Sequence, residues 1–193
     1  MLMGVRNVKI APSPKWLCDC LISAGLRPIN NIVDITNFIM LETGHPMHAF
    51  DARDIKGGKI IVRRAQEGEG ITTLDGKSHT LTNQMLIIAD STRPIALAGV
   101  MGGENSEIKE DTTDVIFECA KFKRDNIRRT ARALGIRTDS SSLFEKGVDA
   151  GSIPYAIKRA VSLICELGAG EVLDGAADSA ADAVYERSIS VRT

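Results

Sequence analysis

Several polar groups in this chain sit in apolar surroundings, where burial makes them costly unless they are bonded or put to use. The stretch Arg27 to Phe50, RPINNIVDITNFIMLETGHPMHAF, holds Asn30, Asn31, Asn37, Asp34, Thr36, Thr43, His45 and His48 among Ile, Val, Phe, Met and Leu. Its apolar residues cover most of a helix circumference, so Asp34, Thr36 and Asn37 are expected to lie at least partly inside. Two readings stay open. The polar groups either cap and pin a core helix, or they line a polar pocket in an apolar frame. His48 is a structural group or a ligand contact on the same footing. A second signal is Glu118 inside the apolar run Val115-Ile116-Phe117-Glu118-Cys119-Ala120. An acid there either faces solvent or is buried with a shifted pKa. A third is the loop Ala98-Gly99-Val100-Met101-Gly102-Gly103-Glu104-Asn105, whose glycines let a ligand approach the backbone. It lacks the Lys-Ser/Thr end of a phosphate loop and the glycine spacing of a dinucleotide fold.

The elements that must position these groups follow from periodicity and stop signals. Ser13-Pro14 reads as a helix start, with Ser13 as N-cap and a stripe of Trp16, Leu17, Cys20, Leu21 and Ala24. Further helices are expected over 30–42, 122–134 and 152–167, the first spanning 14–24. Gly44-His45-Pro46-Met47-His48 breaks the second helix and is read as a turn that fixes His48 just past its end. Short strands are expected around Val5, at 60–62, 85–89, 95–98 and 115–120, with a Leu74-Asp75-Gly76-Lys77 hairpin turn that carries a solvated His79. Thr138 to Ser142 reads as a polar loop or cap. The fold class is therefore α+β: a mainly antiparallel, sandwich-like sheet with flanking helices.

Composition narrows the function. The 193 residues suit one domain, or two small intertwined halves. A net charge of −1 gives no global pull toward nucleic acid or membrane. The exception is local. Lys121 to Arg137 carries seven Lys or Arg against one acid, which reads as an amphipathic basic helix suited to an RNA or phosphate contact. Cys18, Cys20, Cys119 and Cys165 lack zinc spacing and read as thiols of a reducing compartment, with no metal site. No apolar run is long enough to span a membrane.

Five ordered blocks carry a family resemblance: RPINNIVDITNFIMLETGHPMHAFD, the LDG hairpin, ALAGVMGGENSEI, FECAKF and RARALGIRTDSSSLFEKGVD. Together they resemble the editing domain of the beta subunit of bacterial phenylalanyl-tRNA synthetase. The resemblance implies a module that hydrolyses tyrosyl-tRNA(Phe) formed in error. The alternative is a domain that only positions tRNA or joins subunits. It implies that Glu118 and the backbone at Gly99 read the tyrosine hydroxyl, with Ala98 among the substrate-binding residues. It also implies that Thr36, Asn37 and His48 place water and ester, and that Thr138 and Ser140 line the pocket. Arg124, Arg128 and Arg132 become candidates for tRNA contact. Ser140 departs from the Ala of many relatives, and Ser142-Leu143 from the His-Arg of some. The implied setting is a cytoplasmic heterotetramer of two alpha and two beta subunits. It uses ATP and magnesium as a whole and no cofactor in this domain. Residues 1–187 would form the editing domain and 188–193 the start of the next segment of the subunit.

Overall fold

A computed structural model describes residues 1–179. Two four-stranded antiparallel sheets are stacked about the site. The first has the order β10-β1-β9-β2, from strands β1 (Leu2–Arg6), β2 (Met47–Asp51), β9 (Val115–Cys119) and β10 (Glu171–Val172). The second has the order β3-β6-β7-β8, from β3 (Ile61–Arg64), β6 (Leu86–Ala89), β7 (Pro94–Leu97) and β8 (Met101–Gly102). A separate hairpin pairs β4 (Gly70–Thr72) with β5 (Ser78–Thr80). The helices are α1 (Lys15–Ser23), α2 (Asn31–Thr43), α3 (Arg124–Leu134), α4 (Asp139–Lys146) and α5 (Ile153–Glu166). The expected α+β class is thus observed. The expected boundary at 187/188 lies outside the described residues.

The first sheet divides two cores. Side chains alternate across a strand, so its odd and even positions enter different environments. Val5, Val115, Phe117 and Ala49 pack with α1, α2 and α5 through Leu17, Leu21, Ile32, Ile35, Ile39 and Ile157. On the opposite face, Phe50 and Ile116 pack with Ile87, Leu97, Ile127 and Phe144 of the second sheet, α3 and α4. At the end of β2, buried Asp51 accepts from Arg53 Nη2 at 2.7 Å and from Thr112 Oγ1 at 2.7 Å, which fixes that strand end.

Several expectations are corrected. Ser13 does not cap α1; Pro14 takes that place, and Ser13 Oγ donates to Asp34 Oδ2 at 2.6 Å. The α1 stripe is narrower than expected. Leu17 and Leu21 are buried, whereas Trp16 is 43% exposed and Cys20 is exposed. Much of the polar content of the Arg27–Phe50 stretch is structural. Asn30 accepts from the Ile32 and Val33 amides as the α2 cap. Asn31 accepts from the Ala11 amide and donates to the Lys9 carbonyl. Asp34, fully buried, also accepts from the Ile29 amide at 2.8 Å. Of the two readings of Thr138 to Ser142, loop or cap, the cap is observed: Thr138 is the N-cap of α4, and 139–142 are its first helical residues. Thr138 and Ser141 form a reciprocal capping box that offsets the poor helix propensity of consecutive serines. His48 lies within β2 rather than in the preceding turn, because Pro46 ends the break and pairing with β9 starts at Met47.

Asp34→Ala leaves the Ser13 hydroxyl and the Ile29 amide without their acceptor. The expected cost is about 2 kcal/mol, a fall in Tm of roughly 4–8 °C, read by thermal unfolding.

Candidate functional site

Strand register brings His48 and Glu118 together. They are direct partners in the β2–β9 pair, and Glu118 is also opposite Leu2 of β1. Direct partners in an antiparallel pair have Cβ atoms about 4.5–5.5 Å apart on one face of the sheet. That face is the one Phe50 and Ile116 present to the second sheet. The His48 ring meets Phe50 edge to face, with centroids 4.5 Å apart.

The glycine loop closes over the histidine. A methyl group on Gly102 would lie 2.5 Å from His48 Cε1 and 2.8 Å from its Nε2. It would also lie 3.0 Å from Leu74 Cδ1, so the hairpin tip meets the same spot. The Leu74 amide donates to the Gly102 carbonyl at 3.1 Å, which holds the tip in place. Gly102 and Leu74 were not singled out from the sequence as site residues. The Gly-Gly doublet and the LDG turn were the visible signals.

The other end of the loop rests on the helices. Gly99 has φ +67°, and a side chain there would press on Phe122, Ile127 and Phe144 at 3.0 Å each. Ala98 is buried, and its amide is bonded to the Leu86 carbonyl. Thr138 Oγ1 accepts from the Ser141 amide at 3.0 Å and donates to the Val100 carbonyl at 2.8 Å. Thr138 therefore joins the α4 N-terminus to the loop. Ser140 is half-buried on the first turn of α4. One continuous segment, Gly99–Gly103, thus links α3 and α4 to His48.

The structure does not join Thr36 and Asn37 to this group by a hydrogen bond. Thr36 is buried and donates its hydroxyl to the Val33 carbonyl of its own helix at 2.7 Å. Asn37 is half-buried. Both stand on α2, whose Ile32, Ile35 and Ile39 pack in the core behind the sheet from His48 and Glu118. His45 is a structural group: its ring nitrogens meet Ser152 Oγ at 3.0 Å and the Ala120 carbonyl at 2.9 Å. Arg124, Arg128 and Arg132 are exposed at i, i+4 and i+8 along α3, a single basic row. Arg124 donates to the Lys146 carbonyl, while Arg128 and Arg132 have no ion-pair partner among the described residues.

Burial sets the electrostatics. It raises the Glu118 carboxyl from 4.5 to about 7 and lowers the His48 imidazolium from 6.5 to about 4. His48 Nε2 is buried without a hydrogen-bond partner among the described residues. Near neutral pH the site therefore offers an uncharged imidazole with one unmet nitrogen, beside a carboxyl close to half-protonation. Cys119 is a weak nucleophile here, because burial, and secondarily the charge of Glu118, push its thiol up to about 12. This arrangement suits hydroxyl recognition and water placement more than attack by a protein nucleophile.

The fold is an α+β domain in which a half-buried pair of titratable groups faces a glycine loop between two sheets, with a basic helix alongside. A family model described as the B3/4 domain matches residues 1–169, and the chain belongs to that family. It is 50% identical over 191 residues to the phenylalanine–tRNA ligase beta subunit of Clostridium tetani, covering 99% of this chain and 24% of that relative. Identity to the beta subunit of Carboxydothermus hydrogenoformans is 53% over 168 residues, or 87% of this chain and 21% of the relative. A solved N-terminal fragment of the phenylalanyl-tRNA synthetase beta subunit from Pyrococcus horikoshii shares the fold, with a TM-score of 0.56 at 14% identity. That likeness covers 89% of this chain and 45% of the fragment. The chain spans about a quarter of the length of these curated relatives.

The two pKa shifts act oppositely on stability. Between pH 4.5 and 7 the folded chain keeps a proton on Glu118 that the unfolded chain has lost, so this group's contribution falls as pH rises. Between pH 4 and 6.5 the unfolded chain holds a proton that folded His48 lacks, so its contribution rises with pH. Relative to wild type, Glu118→Gln is expected to gain stability as pH increases over its window, and His48→Gln to lose it over its own. Urea unfolding across pH 4–8 reads both slopes, and parallel profiles for all three proteins would contradict the burial of this pair. Gly102→Ala is expected to displace the His48 ring and cost about 1–3 kcal/mol, as overpacked sites do. The histidine ring signals in NMR report the displacement directly.

Proposed function

We propose that this chain is the editing module of a phenylalanine–tRNA ligase beta subunit and hydrolyses tyrosyl-tRNA(Phe). The observation that carries the reading is Glu118, half-buried and with no side-chain hydrogen bond among the described residues, in an apolar strand directly opposite an uncharged His48. A site built for phenylalanine rejects an added hydroxyl only about a hundredfold, so a second site that requires the hydroxyl supplies the missing discrimination. A phenol gives Glu118 a partner. Phenylalanine leaves the carboxyl desolvated and unpaired, at a cost of about 1–3 kcal/mol.

The ester needs a placed water and stabilisation of a tetrahedral oxyanion. With its imidazolium pKa near 4, His48 is a weak base at neutral pH and is better suited to orienting the water or ester through Nε2. Backbone groups of Gly99, with Ala98 behind it, face the amino acid, and Thr138 and Ser140 hold the loop and line the pocket. Thr36 and Asn37 act at the ester end once the terminal adenosine is bound. The basic row Arg124, Arg128 and Arg132 contacts tRNA phosphates. The partners are tRNA(Phe) and the alpha subunit of a cytoplasmic heterotetramer. ATP and magnesium belong to aminoacylation elsewhere in the whole enzyme, whereas the hydrolysis proposed here consumes only water.

Titration of the chain with tyrosine and phenylalanine tests the pocket. Tyrosine is expected to bind about tenfold or more tightly, and Glu118→Ala to abolish the preference with the fold intact. In the full ligase the same variant is expected to accumulate tyrosyl-tRNA(Phe) while phenylalanine charging is retained. Undiminished hydrolysis of tyrosyl-tRNA(Phe) by both Glu118→Ala and His48→Ala would sink the assignment.

A further inference from the structure

His45 is buried to 1% exposure, and the proposed hydrolysis gives it no part. Its place is set locally. Gly44 ends α2 at φ +70°, and the His45 amide donates to Thr43 Oγ1 at 3.2 Å. Pro46 follows and favours an extended backbone at the residue before it. The ring then joins two segments distant in sequence. Nε2 lies 2.9 Å from the Ala120 carbonyl, just past β9, and Nδ1 lies 3.0 Å from Ser152 Oγ, at the N-cap of α5.

These partners fix the tautomer. A carbonyl only accepts, so Nε2 carries the proton that faces Ala120. Burial is the largest influence on the ring and lowers its imidazolium below the usual 6.5, so near neutral pH Nδ1 is an acceptor. The Ser152 hydroxyl has one proton, which goes either to Nδ1 or to the Asp149 carbonyl at 2.8 Å. Position 45 therefore calls for a donor toward Ala120 and an acceptor toward Ser152.

Both supports of the proposed pocket meet this ring. Ala120, which accepts from it, stands two residues past Glu118. Phe144 meets the ring edge to face, with centroids 6.4 Å apart. Phe144 also packs against Phe122 at 5.2 Å, and both lie 3.0 Å from where a side chain on Gly99 would begin. We propose that His45 is a positioning residue for hydroxyl recognition: it holds the end of the Glu118 strand in register with the Gly99 loop. The inference rests on the editing reading and adds a determinant of its specificity. His45 touches no substrate and acts through Ala120 and Phe144. Tyrosine needs Glu118 and Gly99 correctly spaced about its hydroxyl, whereas phenylalanine has no hydroxyl to place.

The test is titration of wild type, His45→Leu, His45→Gln and Ser152→Ala with tyrosine and with phenylalanine, each protein first shown to be folded by its amide spectrum. His45→Leu fills the space without either bond, and its tyrosine affinity is expected to fall about fivefold or more, the worth of one net hydrogen bond, with phenylalanine affinity unchanged. His45→Gln offers an amide N–H to Ala120 and an amide oxygen to Ser152, and is expected to restore the preference to within about twofold of wild type. Ser152 is half-buried, so Ser152→Ala keeps the test valid if His45→Leu unfolds. It removes the outer anchor of the ring and is expected to weaken tyrosine alone, by about twofold or more. The proposal is overturned if the folded variants keep the wild-type preference, or if they weaken both amino acids alike, which is the mark of a purely structural role. Absence of any tyrosine preference in wild type overturns the editing reading itself, and this inference with it.

Discussion

Pairing of β9 with β1 on one side and β2 on the other is the constraint on which the site depends. A strand's side chains alternate, so slippage by one residue would move His48 and Glu118 into the helix-side core and bring Met47 and Cys119 to the other face. Apolar burial opposes that slip on both faces at once. Phe117 and Val115 fill one core, and Phe50 and Ile116 the other. The Asp51–Arg53–Thr112 bonds anchor the end of β2 and add a polar lock to the same register. The carboxyl and imidazole are thus placed by the packing of their neighbours and not by a bond between them.

Around that pair, polar residues divide into those already satisfied and those left open. Asn30, Asn31, Asp34, His45 and Thr138 each spend their hydrogen-bonding groups on backbone or hydroxyl partners. They hold α2, the turn after it and α4 in position. Among the described residues, His48 Nε2 is buried without a partner and half-buried Glu118 makes no side-chain hydrogen bond, and a folded chain tolerates such unmet groups where they serve a ligand. The Gly99–Gly103 segment connects the two sets, because its small residues allow His48 at one end and three apolar side chains at the other to reach the backbone.

Much of the architecture was legible in the sequence because it rests on local chemistry. Gly44 and Gly135 end α2 and α3 in the left-handed conformation that their residue type favours. The Asp75-Gly76 turn announces its hairpin, and the lone acid in a Val-Ile-Phe run announces Glu118. What was not legible depends on distant partners. β2 is five residues long behind a proline, and only pairing with β9 makes it a strand. The roles of Asn31 and Asp34 as ties to residues 9–13 follow from long-range side-chain bonds, which leave no periodic trace. The same holds for α4, where a capping box turns a serine run into a helix.

The opposed shifts of His48 and Glu118 have one further consequence. With one group discharging near pH 4 and the other near pH 7, both are neutral throughout the interval between. The pair is then electrically silent, and shape and hydrogen-bond geometry alone decide what can lie against it. Above that interval the carboxylate adds a negative charge that would repel an approaching phosphodiester and hold a phenolic proton more tightly. Neutral pH sits at the boundary of the two regimes, where an occupant would itself select the protonation state that suits it.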